Sequence, residues 1–265
     1  MQKITSKDNE FIKYVKKLKD KKYRDLNNEF LIEGIKLIKE AIQENADIKQ
    51  IIICEDCKET ENISKELTYS IAKYECIYVT KQVFNSITEV TNPQGILAVV
   101  SKSTGKNDID YTQDIIVALD DLQDPGNLGT ILRTVDSVGL TQILVSKGTA
   151  DCFNPKVVRS TMGAIFRVRI IECENLLDML KQAKKHHYKT IVTSLQTENS
   201  IYDVDFNKKI IVVGNEANGV KKEIQDFADE KVKIPMLGKT ESLNASVATG
   251  IVLYEYVRKR LKKWN

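Results

Sequence analysis

Between residues 115 and 235 the chain alternates short, unbroken apolar runs with segments of helical spacing, and few folds accommodate that pattern. The apolar runs are Ile115 to Leu119, Gln142 to Val145, Phe166 to Ile171, Lys189 to Ser194, Ile210 to Gly214 and Lys231 to Pro235. Helical spacing recurs over Asn127 to Val138, Pro155 to Met162, Leu176 to His186 and Lys221 to Phe227. Strands that are apolar at successive positions are buried on both faces, so the pattern predicts a mostly parallel sheet covered by helices on each side. Ligands of such sheets sit beyond the carboxyl ends of the strands.

Three loops leave those ends with unusual composition. They are Asp120-Asp-Leu-Gln-Asp-Pro-Gly-Asn-Leu-Gly129, Gly214-Asn-Glu-Ala-Asn-Gly219 and Ile234-Pro-Met-Leu-Gly-Lys-Thr-Glu-Ser-Leu-Asn244. The last runs into a final helix, which Ser242 or Asn244 can cap by accepting from its free N–H groups. Val247, Ile251, Tyr254 and Leu261 recur along that helix and predict one buried stripe. No G-x-G-x-x-G is present, so a dinucleotide site is disfavoured. Gly214 and Gly219 have phosphate-loop spacing, but Val220 stands where that motif needs lysine. The glycines and asparagines instead suit backbone recognition of a neutral or zwitterionic ligand.

The front of the chain is a second α/β unit. Phe30 to Ile32, Ile48 to Cys54, Cys76 to Val79 and Gly95 to Val100 read as strands, with helices over Gly34 to Asn45 and Asn62 to Tyr74. Ser101 to Asp108 is small, polar and charged, which makes it the linker between a domain over 1–104 and one over 113–265. Residues 1 to 24 hold nine Lys or Arg against three acids, above an apolar stripe of Phe11, Ile12, Tyr14, Val15 and Leu18 that predicts an amphipathic helix. With Arg258-Lys-Arg-Leu-Lys-Lys263 at the other end, two basic runs on a nearly neutral body suit contact with a polyanion such as RNA or DNA. Lys13, Lys16, Lys17, Lys21, Lys22 and Arg24 are the candidate contacts.

No apolar run approaches a membrane span and no signal segment opens the chain, which predicts a cytoplasmic protein. Cys54, Cys57, Cys76, Cys152 and Cys173 are odd in number and scattered, so all are expected to be reduced. Cys54-x-x-Cys57 has no second pair, and His186 and His187 lie far along the chain, so no metal site is expected. The histidines instead suit a helix end.

Three motifs in order resemble the SpoU, or TrmH-type, branch of the SPOUT RNA methyltransferases. They are Asn127-x-Gly129-x-x-x-Arg133-Thr-Val, Val213-Gly-Asn-Glu-Ala-Asn-Gly219 and Ile234-Pro-Met-x-Gly-x-x-Glu-Ser-Leu-Asn-Ala-Ser-Val247. Asn154-Pro-Lys-Val-Val-Arg-Ser-Thr-Met-Gly-Ala-Ile-Phe-Arg167 is similar to the same family. Phe30-Leu-Ile-Glu-Gly34 and Asn92-Pro-Gln-Gly-Ile96 resemble the ribosomal-protein-L30e-like domain that binds substrate ahead of such catalytic domains.

The resemblance implies a deep trefoil knot, a homodimer, and S-adenosylmethionine as methyl donor to a ribose 2′-hydroxyl, with ribosomal RNA as target. By the same resemblance Leu195, Gly214, Asn215, Glu216, Gly219, Ile234, Met236, Ser242, Leu243 and Asn244 would hold the cofactor. Asn127, Arg133, Glu216, Ser242 and Asn244 would face the ribose, and Asn127 and Asn244 are also suited by type to cap the helices they open. A guanidinium offers donors and no acceptor, so Arg133 suits bidentate recognition of a phosphate better than service as a base. A tRNA target, base methylation, or an RNA-binding protein without turnover are the alternatives left open.

Overall fold

The computed structural model describes residues 3–58, 60, 63–102, 108–194 and 197–262. Its contacts divide into two compact units: Met1–Thr104 with Phe153–Phe166, and Gly105–Cys152 with Arg167–Asn265. Residues 103–107, the middle of the expected linker, lie outside the described residues.

The first unit runs β1 (Lys3–Ile4), α1 (Glu10–Lys17), α2 (Lys21–Asn27), β2 (Glu29–Glu33), α3 (Ile35–Gln43), β3 (Ile48–Cys54), α4 (Lys65–Ile71), β4 (Cys76–Val79), α5 (Lys81–Ile87) and β5 (Ile96–Ser101). Its strands form a mixed sheet in the order β1-β4-β3-β5-β2. Ile12 and Val15 of α1, with Leu18 just after it, pack on Leu31, Ile52, Val79 and Leu97, so the apolar stripe beneath the lysines is core. Two helices go beyond the sequence reading. Asp20 caps α2 by accepting from Lys22 N, and Thr80 caps α5, whose Val83, Phe84 and Ile87 are buried.

Cys54 and Cys57 are joined in a disulfide, against the expectation that all five thiols are free. Cys54 ends β3, and the turn through Glu55 and Asp56 returns Cys57 to it with the Cα atoms 5.5 Å apart. Proximity of this kind is set by the strand end, which the number and scatter of the cysteines do not reveal.

The second unit begins with β6 (Ile115–Asp120), α6 (Pro125–Ser137) and β7 (Gln142–Ser146). The chain then enters α7 (Pro155–Thr161) and a 3-10 turn over Ala164–Phe166, which share their contacts with the first unit, α7 lying against β2. It resumes with β8 (Arg169–Cys173), α8 (Leu176–Lys185), β9 (Lys189–Thr193), β10 (Lys209–Gly214), α9 (Lys222–Phe227), β11 (Glu230–Val232) and α10 (Ala245–Lys262). The six-stranded sheet has the order β11-β9-β10-β6-β7-β8 and every pairing in it is parallel. Ile116 and Ala118 of β6 and Ile210 and Val212 of β10 pack with Leu180 and Ala183 of α8 and Ile224 of α9. Strand order reverses about β6 and β10, the position at which such sheets bind ligands.

The expected strand over 166–171 begins later because Ala164–Phe166 turns as a 3-10 helix. The strand expected to reach Pro235 ends at Val232, ahead of a proline that has no N–H for a ladder. His186 is the C-cap residue of α8 and stacks on Tyr111 with ring centroids 3.8 Å apart.

In α10 the buried face is not the expected one. Val252 and Leu253 are fully buried and Tyr256 nearly so, whereas Val247, Tyr254 and Leu261 are 51%, 55% and 62% exposed and Ile251 is half-buried. Both faces of this helix are apolar, so spacing alone does not say which of them meets the sheet. Among the described residues no helix is long and apolar enough to cross a membrane.

Candidate active site

Beyond the carboxyl ends of β9, β10 and β11 lies a cleft of about 580 Å³, within the usual range for small-molecule sites. Gly214, Asn215, Glu216, Gly219, Ile234, Met236, Ser242, Leu243 and Asn244 all line it. Leu195 lies outside the described residues. Thr193 and Ser194 at the end of β9, together with Gln225 and Lys233, line it as well and were not anticipated. The signal for the first two was present: they end an apolar strand on the same side of the sheet as the recognised loops.

One wall is the loop after β10. Asn215 and Gly219 exchange backbone hydrogen bonds at 3.0 and 2.9 Å, while the Asn215 carboxamide oxygen accepts from Ala217 N and Asn218 N. The same side chain donates to the Asp121 carbonyl at 2.9 Å, tying the loop to the end of β6. This closure requires Gly214: a Cβ there would stand 2.1 Å from the Gly219 carbonyl carbon. Below the loop, Asp120 accepts from Lys221 N at 2.7 Å, and the Lys221 ammonium lies 2.8 Å from Asp121.

At the rim, three polar side chains from distant parts of the chain form one series. Asn244 donates to the Asn127 side-chain oxygen at 2.8 Å, and Asn127 Nδ2 donates to Glu216 Oε1 at 3.0 Å. Gln123 N and Asp124 N donate to the same carboxylate. Partial burial raises the Glu216 carboxyl pKa, but these donors outweigh it and hold the group below the usual glutamate range. Glu216 is thus an ionised acceptor with its charge turned to ordered donors.

Capping explains part of this geometry. Asn244 Oδ1 accepts from Ser246 N at 2.9 Å and Val247 N at 3.3 Å at the head of α10, so one side chain caps the helix and meets Asn127. In α6 the cap is Asp124, which accepts from Asn127 N at 2.7 Å. Asn127, a cap candidate by sequence, is instead in the first turn, which leaves its side chain free for Asn244 and Glu216.

Arg133 is exposed on α6 and forms no side-chain hydrogen bond or ion pair among the described residues. Helix geometry places it about 9 Å along the axis from Asn127 and about a third of a turn round. It is outside the cleft lining and apart from the Asn127–Glu216–Asn244 series.

Among the six basic candidates of the first unit, Arg24 requires correction. It is only 2% exposed, and Nη1 donates to the carbonyls of Leu18 and Lys19 at 2.8 and 2.6 Å, fastening the end of α1. A charge read from sequence carries no information on burial, and unpaired carbonyls at a helix end are good partners for a guanidinium. Lys13 pairs with Glu10 and Lys21 with Asp25, and Lys16 reaches the Lys7 carbonyl at 3.4 Å. At the other terminus Arg258 is bound to Glu255, Lys259 to the carbonyls of Tyr202 and Val204, and Arg260 to the Tyr256 hydroxyl. The cations of that run from Arg258 to Arg260 are therefore engaged within the fold. Among the described residues no cluster of three or more His, Cys, Asp or Glu could hold a metal ion.

The pattern of the SpoU rRNA Methylase family matches residues 114–254, more than half of the chain. The chain belongs to the SpoU methylase family. A second pattern, the MRM3-like substrate binding domain, matches residues 9–98 of this SpoU protein. It is 34% identical to the 23S rRNA (guanosine(2553)-2′-O)-methyltransferase RlmP of Bacillus subtilis, over 96% of this chain and 98% of that protein. It is 28% identical to the 23S rRNA (guanosine-2′-O-)-methyltransferase RlmB of Xanthomonas axonopodis, over 87% of this chain and 96% of that one. The AdoMet-bound rRNA methyltransferase of Sinorhizobium meliloti superposes with a TM-score of 0.86 at 30% identity, covering 97% of this chain and 98% of its own.

Proposed function

We propose that this SpoU protein moves the methyl group of S-adenosylmethionine to the 2′-hydroxyl of a guanosine in 23S ribosomal RNA, in the cytoplasm. The observation that carries the reading is the Asn244–Asn127–Glu216 series at the mouth of a cleft built from backbone-rich loops. The cleft suits S-adenosylmethionine: apolar side chains such as Ile201, Val232, Ile234 and Val252 line it and would pack on a planar base, while loop backbone and Ser242 offer polar groups. Gly214, Asn215, Glu216, Gly219, Ile234, Met236, Ser242, Leu243 and Asn244 would hold it, with Leu195 added by family likeness. The bound cofactor supplies an already activated methyl group, so the protein's task is to place a weak nucleophile in line with it. Asn127, Glu216, Ser242 and Asn244 would set the ribose, Glu216 or water would take its proton, and Arg133 would hold the adjoining phosphate through its fork of donors. The first unit, through Lys13, Lys16, Lys17, Lys21 and Lys22, would supply RNA affinity.

Full-length protein, treated with EDTA and incubated with labelled cofactor and 23S rRNA from cells lacking the gene, provides the test. One guanosine is expected to gain protection of its 3′ phosphodiester from alkaline cleavage. Label without that protection would mean base methylation, label only in tRNA would change the substrate, and cofactor binding without transfer would leave an RNA-binding protein. A need for added metal would remove the positioning argument.

The same reading includes the family's trefoil knot and a homodimer. In favour of the knot, Lys233 N donates to the Asn199 carbonyl and Ile201 N to the Lys233 carbonyl, so the chain after β11 runs beside the loop that follows β9. In favour of the dimer, Val247, Ile251, Tyr254 and Leu261 form one accessible apolar stripe suited to a second copy of itself. Ile251→Glu with Tyr254→Asp is expected to shift the sedimentation coefficient from dimer to monomer. A parent protein that sediments as a monomer at micromolar concentration would end this part of the proposal.

A further inference from the structure

Of the six cations expected to meet a polyanion, only Lys17 and Lys22 are left without an ion pair or side-chain hydrogen bond among the described residues. Both stand over one aromatic ring. Lys17 Nζ lies 5.5 Å and Lys22 Nζ 6.0 Å from the ring centroid of Tyr23. Three residues further along α2, and so beside Tyr23 on the helix surface, Leu26 is 74% exposed. Arg24 holds this short helix in place from its buried side, through the two carbonyls at the end of α1. A half-buried ring, an open aliphatic side chain and two cations that carry no ion pair thus share a fixed surface.

We propose that Tyr23 and Leu26, rimmed by Lys17 and Lys22, form a stacking platform for an unpaired nucleobase of the RNA substrate. The proposal rests on the reading of the chain as an RNA methyltransferase and adds where, and in what state, the RNA is gripped. A ring and an adjacent aliphatic side chain fit the flat, apolar face of a base, and cations within reach of the flanking phosphates provide charge complementarity. A base inside a duplex has both faces covered by its neighbours, so the platform selects loops, bulges and ends. Lysines without an ion pair beside the apolar residues favour a polyanion over a protein, since lysine is depleted from protein interfaces.

Fluorescence anisotropy with the full-length protein tests this, using a labelled single-stranded RNA and a blunt duplex of the same composition. Tyr23→Ala is expected to weaken single-strand binding about tenfold, with duplex binding unchanged, and Tyr23→Trp to restore it. Lys17→Ala and Lys22→Ala should each lower the salt slope on single strands by about 0.7, a change that Tyr23→Ala should not make. Leu26 is exposed, so Leu26→Ala, expected to weaken binding about threefold, decides the matter if Tyr23→Ala does not fold. If both Tyr23 and Leu26 variants bind single strands as the parent does, the platform is refuted while the methyltransferase reading stands. If the parent binds neither RNA, RNA recognition by this unit fails with it. A ribosomal protein whose capture is lost in the Tyr23 and Leu26 variants, with RNA affinity unchanged, would assign the surface to a protein partner and overturn the proposal.

Discussion

Gly214→Ala is expected to weaken S-adenosylmethionine binding about a hundredfold or more, equivalent to about 2.8 kcal/mol, in a calorimetric titration. The added Cβ would stand 2.1 Å from the Gly219 carbonyl carbon and 2.2 Å from Val220 N, and backbone cannot move aside as a flexible side chain can. The bridge between Asn215 and Gly219 would have to open, carrying Glu216 away from Asn127. Gly219→Ala is the comparison. A Cβ at Gly219 meets nothing within 4 Å, but its φ of +69° is left-handed and costs an alanine about 1–2 kcal/mol. The second variant should therefore lose less affinity than the first. Equal affinities in the two variants, with melting curves showing both folded, would mean that loop closure at Gly214 does not control the site.

Arg133→Lys is expected to retain cofactor binding and most RNA affinity, yet to lower single-turnover methyl transfer about a hundredfold. Lysine keeps the charge but cannot reproduce a planar fork of donors, and a reacting group misplaced by about 1 Å can lose that much rate. The exposed position of Arg133, clear of the Asn127–Glu216–Asn244 series, suits a partner that arrives with the RNA. A role as base predicts something different. A lysine ammonium in water gives up its proton near pH 10.4, so a basic role would let alkaline conditions rescue the lysine variant selectively. Parallel rate profiles between pH 7 and 10 would uphold the orienting role, and selective rescue would refute it.

Parallel strands were legible because burial on both faces writes itself as continuous apolar sequence, as in Ile115 to Leu119, now β6. The loops of the cleft were legible as glycine and asparagine clusters at strand ends. Position in three dimensions was not. Whether Arg24 faces water or the carbonyls of Leu18 and Lys19 depends on how α2 turns back on α1, which composition does not record. Apolar residues on both faces of α10 conceal which stripe meets the sheet, and Cys57 meets Cys54 only because a turn closes after β3. Asn127 looked like a cap because its type suits one. Asp124, three residues earlier, takes that place and frees Asn127 to join residues 89 and 117 positions away.

The placement of α7 constrains how genes of this kind can recombine. Its Val157 and Val158 are buried in the unit formed by 1–104, although their codons lie beyond those of β6, α6 and β7. A single crossover in the linker would join a foreign front unit to a resident α7, setting the apolar side of one helix against a β2 with which it had never been selected. Exchange of front units between lineages would therefore require a second, coordinated replacement some fifty codons downstream, or compensating change on β2, and clean modular shuffling at the linker should be selected against.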